Sequence, residues 1–194
     1  MVRTALIYIY LAVLVSAAVV ANVLTRPYDV AHPDNAVVFA YLCVAAPLLN
    51  LPQVRIEQGR LSLVGIANQA AALVLNPLDA TIVGIASSVS TMRRGWFPVL
   101  ANATLSASIN LAGSVVANEF RSNNGAPLYG RVLAVTVWSL TNMTLLVLAF
   151  RIRSGVSVRG TTTQTFTASF YVAFAYSSLA AILATQRLVA FGTG

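Results

Sequence analysis

Lysine is absent from this chain, and acidic residues are almost as scarce. All 12 basic side chains are arginine and there are five acidic ones among 194 residues. Charged residues make up only 9% of the chain, against about a quarter in an ordinary globular domain. Hydrophobic residues make up 58%, and the mean hydropathy is +0.78. A soluble domain of this length cannot bury so much apolar surface, so the composition indicates a membrane protein.

Cysteine and histidine occur once each, at Cys43 and His32. A single cysteine inside an apolar run excludes a disulfide framework and any cysteine-based metal site. The sequence contains no phosphate loop, no nucleophile elbow and no convergent pair of carboxylates. We therefore expect no catalytic residues, no metal site and no cofactor, and we predict that the chain is not an enzyme.

The arginines lie in short polar gaps between long apolar runs. Eight of them occupy alternate gaps: Arg3, Arg55, Arg60, Arg93, Arg94, Arg151, Arg153 and Arg159. The other four lie on the opposite side of the predicted spans: Arg26, Arg121, Arg131 and Arg187. Four of the five acidic residues occupy the other gaps: Asp29, Asp34, Asp79 and Glu119. Cytoplasmic loops retain arginine whereas translocated loops do not. The alternation therefore predicts a multi-pass membrane protein with its N-terminus in the cytoplasm, and it makes these arginines the residues that set the topology.

The apolar runs predict an all-α transmembrane helix bundle, forming one integral membrane domain over residues 1–194. About seven spans are expected, over residues 4–24, 36–51, 61–75, 79–92, 97–117, 131–150 and 165–187. The block 61–92 is interrupted at Asn76-Pro77, which predicts the end of one helix and the start of another. A single kinked helix there would give six spans but would move Arg93 and Arg94 to the outer side, so two short helices are favoured. In the polar gap before this block, Gly59 is the expected turn residue.

Amide and hydroxyl side chains, rather than ionisable ones, supply the polarity within the spans. One interpretation, which we favour, is that they form hydrogen bonds between helices. The other is that they line a cavity for a small polar ligand. The residues of that second interpretation are Asn68, Gln69, Asn102, Asn110 and Asn142.

The stretch from Gly59 to Phe120 carries a resemblance to a known family. It contains Gly59-Arg60-Leu61-Ser62, a helical hairpin turning at Pro77, the basic pair Arg93-Arg94 and then Asn102. This order resembles the N-terminal membrane region found ahead of bacterial HD-GYP phosphodiesterases and related signalling domains. Asn142, a few residues after Trp138, is similar to the mid-span asparagine of that family.

The resemblance covers about residues 55–190 and implies a sensory or anchoring domain in the bacterial cytoplasmic (inner) membrane. Its output would be a cytosolic enzyme acting on cyclic dinucleotides. Such regions usually end with one further helix and then the enzyme, and neither an HD nor a GYP motif occurs among these 194 residues. We therefore expect the phosphodiesterase chemistry to lie outside this sequence. We also expect the further helix that usually leads into the enzyme to lie outside it.

A second resemblance stays open beside the first. Short helices rich in small residues are also similar to the substrate-binding subunits of energy-coupling-factor vitamin transporters, and Ala17 and Ala21 would then contact a partner. The expected partners are the lipid bilayer, a second copy or a cytosolic signalling protein, and a small-molecule ligand. Nucleic acid is not expected, because the scattered arginines form no basic face despite a pI of about 10.3.

Overall fold

The computed structural model of the chain describes residues 2–25, 33–51, 53–56, 59–121 and 126–154. These residues form six α-helices: α1 (Val2–Leu24), α2 (Pro33–Leu49), α3 (Val64–Val74), α4 (Pro77–Ser87), α5 (Trp96–Glu119) and α6 (Leu128–Ser154). A 3-10 helix, Ser88–Arg94, continues α4. The predicted helical fold is confirmed, and the block 61–92 does contain two helices. The seventh predicted span, 165–187, lies outside the described residues.

Three helices are long and apolar enough to cross a membrane, over Ala5–Leu24, Trp96–Glu119 and Leu128–Ala149. Of the three shorter helices among the described residues, α2 and α3 are apolar, over Ala36–Leu49 and Val64–Val74. The 11 residues of α3 extend only about 16 Å, against a hydrocarbon core of roughly 30 Å. Helix α4 has the same length, but the 3-10 helix that follows brings the continuous segment to about 30 Å.

A short antiparallel hairpin lies between α2 and α3, where the sequence predicted only a polar gap. Strand β1 (Gln53–Ile56) pairs with β2 (Gly59–Ser62), and the register places Arg55 opposite Arg60. The expectation for Gly59 was wrong, because this residue pairs with Ile56 inside β2 instead of forming the turn. Four-residue strands are too short to leave a recognisable alternation in the sequence.

The turn between α3 and α4 is fixed by Asn76. Its side-chain oxygen accepts a hydrogen bond from the Asp79 backbone N–H at 2.7 Å, and its amide donates to the Asp79 carboxylate at 2.9 Å. Pro77 occupies the first turn of α4, where a missing N–H costs nothing. Helix α4 therefore begins at Pro77, two residues before the predicted start, because Asn76 is its N-cap.

A run of hydroxyl side chains bonds to the local backbone where α4 passes into the 3-10 helix. Ser87, Ser88, Ser90 and Thr91 each donate to the carbonyl oxygen three residues earlier, at 2.6 to 3.2 Å. Such bonds compete with the backbone pattern of an α-helix. The segment ends at Gly95, whose φ of 104° is a conformation that glycine adopts without strain.

Contacts between helices define two ends of the bundle. At the first, Asn50 donates to the Ser90 hydroxyl at 2.7 Å, and the Tyr8 ring lies against Trp96 and Phe97. We call this the basic end, because Arg93 and Arg94 lie there, and the hairpin begins three residues after Asn50.

At the opposite end, Asn22 donates to the Thr81 hydroxyl at 3.4 Å and Asn118 donates to the Leu75 carbonyl at 3.0 Å. The Phe120 and Tyr129 rings also meet there, so α6 starts at this end. Farther along α6, the Leu145 carbonyl accepts from the Tyr10 hydroxyl at 2.9 Å, so the helix runs back toward the basic end. Successive helices therefore alternate in direction, and the last residues of α6 approach the arginines of the basic end.

Helix α5 is the centre of this arrangement, since it packs against α1, α3, α4, α6 and the 3-10 helix. In its apolar window 39% of residues are buried, against 11% in α1. Helices α4 and α5 approach each other closely at Gly84 of α4, where a Cβ atom would lie 2.7 Å from the Ser106 backbone oxygen. Only glycine fits there without moving one helix away from the other.

Gly84→Ala is expected to lower the free energy of unfolding by about 1 to 3 kcal/mol, the usual cost of overpacking. The measurement is denaturant or thermal unfolding of the purified protein in detergent. Gly65→Ala is the matched control, because an added Cβ there meets nothing within 4 Å, and alanine favours a helix by up to about 1 kcal/mol. Equal stability of the two variants would contradict the close α4–α5 contact.

Candidate functional site

Asn110 of α5 joins four helices through one side chain. It is fully buried, with 0% of its surface exposed. Its amide nitrogen donates to the Asn68 side-chain oxygen of α3 at 3.3 Å and to the Ala80 carbonyl of α4 at 3.0 Å. Its own oxygen accepts from the Trp138 indole N–H of α6 at 3.0 Å. We call Asn110, Asn68, the Ala80 carbonyl and Trp138 the amide–indole network.

Small residues make room for the indole ring. A Cβ atom added to Gly113 would lie 3.0 Å from Trp138, and 3.2 Å from the Ala72 methyl. Ala72, Ile109 and Trp138 form a small apolar cluster next to the network. The tryptophan therefore buries its ring against α3 and α5. Its indole N–H can only donate, and it donates to the side-chain oxygen of Asn110.

A second group of polar side chains closes the end of α3. Asn118 donates to the carbonyls of Leu75 at 3.0 Å and Ser114 at 2.8 Å. The Arg121 guanidinium donates to the Leu73 carbonyl at 3.1 Å. The carbonyls of Leu73 and Leu75 at the end of α3 need such partners, because a helix leaves its last carbonyls unsatisfied. Partial burial of Arg121 desolvates its charge and lowers its pKa, while the negative end of α3 favours that charge.

The residues predicted to line a ligand cavity fall into three groups. Asn68 and Asn110 meet directly and bond to each other. Gln69 is also buried, next to Asn68 in sequence, and no partner for its side-chain oxygen is found among the described residues. Asn102 is exposed on α5 and Asn142 is half-buried on α6, so the structure does not place these two in the network.

Two buried oxygens on the helices of the network have no hydrogen-bond partner within the described part of the chain. They are the side-chain oxygen of Gln69 and the hydroxyl of Ser139, which adjoins Trp138. A buried polar atom without a partner is costly, by about 1 to 3 kcal/mol. Such positions are where a water molecule or a small polar ligand gains the most from binding.

The arginines predicted to set the topology are placed as follows. Arg93 and Arg94 are exposed at the end of the 3-10 helix, and Arg60 lies in β2 opposite Arg55. Arg151 is exposed in α6, and Arg153 also belongs to that helix. Helix α6 runs to Ser154 instead of the predicted residue 150. Arg151 and Arg153 therefore belong to this helix and not to the loop that was predicted to follow it.

Sequence reasoning did not identify Trp138, Asn118 or Arg121 as structural partners. The signal for Trp138 was available, since a tryptophan within an apolar helix needs an acceptor for its N–H. Asn118 and Arg121 gave no such signal, because they lie at a predicted span end where polar residues are ordinary. Among the described residues, no group of histidine, cysteine, aspartate and glutamate is arranged to hold a metal ion.

Comparison of the chain with protein-family models, curated proteins and solved structures found no match. The likeness to the membrane regions of HD-GYP signalling proteins rests on the residues quoted for it from the sequence.

Asn110→Leu is expected to lower the free energy of unfolding by about 2 kcal/mol, because the Trp138 N–H and the Asn68 oxygen lose their buried partner. Asn102→Leu on the same helix is the matched control and is expected to change stability by less than about 0.5 kcal/mol, since its side chain is exposed. Unfolding in detergent, followed by circular dichroism, measures both. Similar losses in the two variants would mean that the network does not hold the helices together.

Proposed function

We propose that this chain is a membrane-embedded sensory or anchoring domain of the type that precedes HD-GYP signalling enzymes in the bacterial inner membrane. The observation that carries the proposal is the amide–indole network. One buried amide ties α3, α4, α5 and α6 together, so any event that disturbs it changes the packing of four helices at once. Outside this centre α1 exposes apolar side chains along most of its length, and α6 exposes several, among them Leu133, Leu140 and Leu146, as lipid contact requires.

In the proposed sensing step, the bundle is in equilibrium between two helix packings. A ligand or a change in the bilayer biases that equilibrium only if it interacts differently with the two states. The 3-10 helix is well suited to differ between them, because it continues directly from α4, which supplies the Ala80 carbonyl to the network. Converting its seven residues to an α-helix would shorten the segment by about 3 to 4 Å.

The proposed orientation places the basic end in the cytoplasm. Arg93, Arg94 and Arg151 lie at that end with the hairpin, whereas Glu119 terminates α5 at the other. Arginine-rich loops stay on the cytoplasmic side during insertion. A cytosolic enzyme would then receive the signal from the basic end of the bundle.

A substrate-binding membrane subunit of a vitamin transporter is the second candidate. The unpartnered oxygens of Gln69 and Ser139 favour it, because a buried polar atom without a partner gains a hydrogen bond when a small polar solute binds to it. In this case the network would form one wall of a binding site. The helix packing would then respond to the solute and not to the bilayer.

Orientation is tested by cysteine labelling in intact cells. After Cys43→Ser removes the native thiol, Met92→Cys at the basic end and Tyr129→Cys at the opposite end each introduce one exposed cysteine. A membrane-impermeant maleimide is expected to label the Tyr129→Cys variant in intact cells and the Met92→Cys variant only after lysis. The reverse pattern would place the basic end outside.

Sensing is tested through the fluorescence of Trp138. The chain has two tryptophans, so Trp96→Phe leaves Trp138 as the sole emitter, 6% exposed and bonded to Asn110. In phosphatidylcholine bilayers with short, intermediate and long acyl chains, a sensor of bilayer state is expected to shift its emission maximum. The shift follows from a changed environment of the indole, and Asn110→Leu is expected to abolish it.

An emission maximum that is the same in all three bilayers would contradict sensing of the bilayer. The domain would then be an anchor or would respond to a solute. Adding water-soluble vitamins to the same preparation separates those two outcomes. A shift with one vitamin alone would favour the transporter subunit, and Gln69→Leu is then expected to remove that shift.

A further inference from the structure

We propose that the basic end carries a binding surface for the phosphate headgroups of anionic phospholipids. The surface consists of the guanidinium groups of Arg93 and Arg94 together with the rings of Tyr8, Trp96 and Phe97. It goes beyond the proposed function, because a sensor, an anchor and a transporter subunit could each use it. It requires only that the bundle lies in a bilayer.

The three aromatic rings form one cluster between α1 and the start of α5. The Tyr8 ring stacks on Trp96 with centroids 6.5 Å apart and meets the edge of Phe97 at 5.5 Å. Trp96 and Phe97 are perpendicular, 5.9 Å apart. Despite these contacts, Trp96 remains 67% exposed and Tyr8 43% exposed. Exposed tryptophan and tyrosine at the end of a spanning helix lie at the depth of the lipid headgroups.

The two arginines are held beside that cluster by the backbone. They are the last two residues of the 3-10 helix, and both side chains are exposed. Gly95, with its φ of 104°, turns the chain directly from them into Trp96 at the start of α5. Two cations and an interfacial aromatic ring therefore lie within four consecutive residues, at one depth of the bundle.

Charge and geometry both favour a phosphate as the occupant. Guanidinium groups bind phosphate oxygens in pairs of parallel hydrogen bonds and are weakly hydrated, so they give up water readily. Arg151, exposed near the end of α6, adds charge of the same sign toward this end of the bundle. Anionic lipids relieve the repulsion among these cations, whereas zwitterionic lipids do so far less.

The experiment uses the position of Trp96. The full chain is reconstituted into two kinds of vesicle with the same mixture of phosphatidylglycerol and phosphatidylcholine, which differ only in which lipid carries bromine near the headgroup end of its acyl chains. Bromine quenches tryptophan on contact. The contribution of the buried Trp138 is obtained from the Trp96→Phe variant and subtracted.

Quenching of Trp96 is expected to be stronger with brominated phosphatidylglycerol, reflecting a local enrichment of about fivefold per arginine. Arg93→Gln is expected to lower that enrichment, and the double variant Arg93→Gln/Arg94→Gln to remove most of it. Raising the salt concentration is expected to weaken it as well, because exposed charges are screened. Arg131→Gln, which removes one charge from α6 near its start at the opposite end, is the matched control and is expected to keep the full enrichment.

Equal quenching by the two brominated lipids would overturn the proposal, as would enrichment that survives in the double variant. The absence of quenching by either lipid would overturn it too, because Trp96 would then not lie at headgroup depth. Each of these results is separate from the emission of Trp138, so the lipid surface and the proposed function can fail independently.

Discussion

The amide of Asn110 is the constraint on which the rest of the bundle depends. A primary amide has two donors and an acceptor that can take two bonds, and burying it without partners in an apolar interior is costly. Three helices supply its partners, namely α3 through Asn68, α4 through the Ala80 carbonyl and α6 through Trp138. Each partner reaches Asn110 only if the helices approach closely, so small residues such as Ala72, Gly84 and Gly113 accompany the contact.

That constraint also explains how a helix as short as α3 is accommodated. With 11 residues it cannot expose both ends to water across a bilayer, so its terminal carbonyls need partners from the protein. Asn118 and Arg121 supply them at the end of α5, the helix that carries Asn110. The short helix is thus bound along its length by Asn68 and at its end by these two side chains. The carbonyls of Leu73 and Leu75 at that end are satisfied by its neighbours.

Most of the helical organisation was predictable, because it follows from apolar runs and from the distribution of arginine. The division of the block 61–92 into α3 and α4 came from the placement of Arg93 and Arg94, and the cap at Asn76 explains why it occurs there. The partners of the network were not predictable. Asn102 and Asn110 lie on the same helix in similar apolar surroundings, yet one is exposed and the other fully buried. Helix α5 has no single polar face in its sequence, so periodicity cannot assign which asparagine points inward.

The network and the basic end are joined by one uninterrupted segment, Pro77–Arg94. Its first helix holds the Ala80 carbonyl against Asn110, and its last two residues are Arg93 and Arg94, close in sequence to Trp96 of the aromatic cluster. A rigid α-helix would fix the distance between these two sites. The second half is instead a 3-10 helix whose hydroxyl side chains bond to the local backbone, and its length differs from that of an α-helix by several ångströms. A lipid headgroup bound at Arg93 therefore bears on the same element as the buried amide, so lipid charge and helix packing are coupled wherever that element changes length.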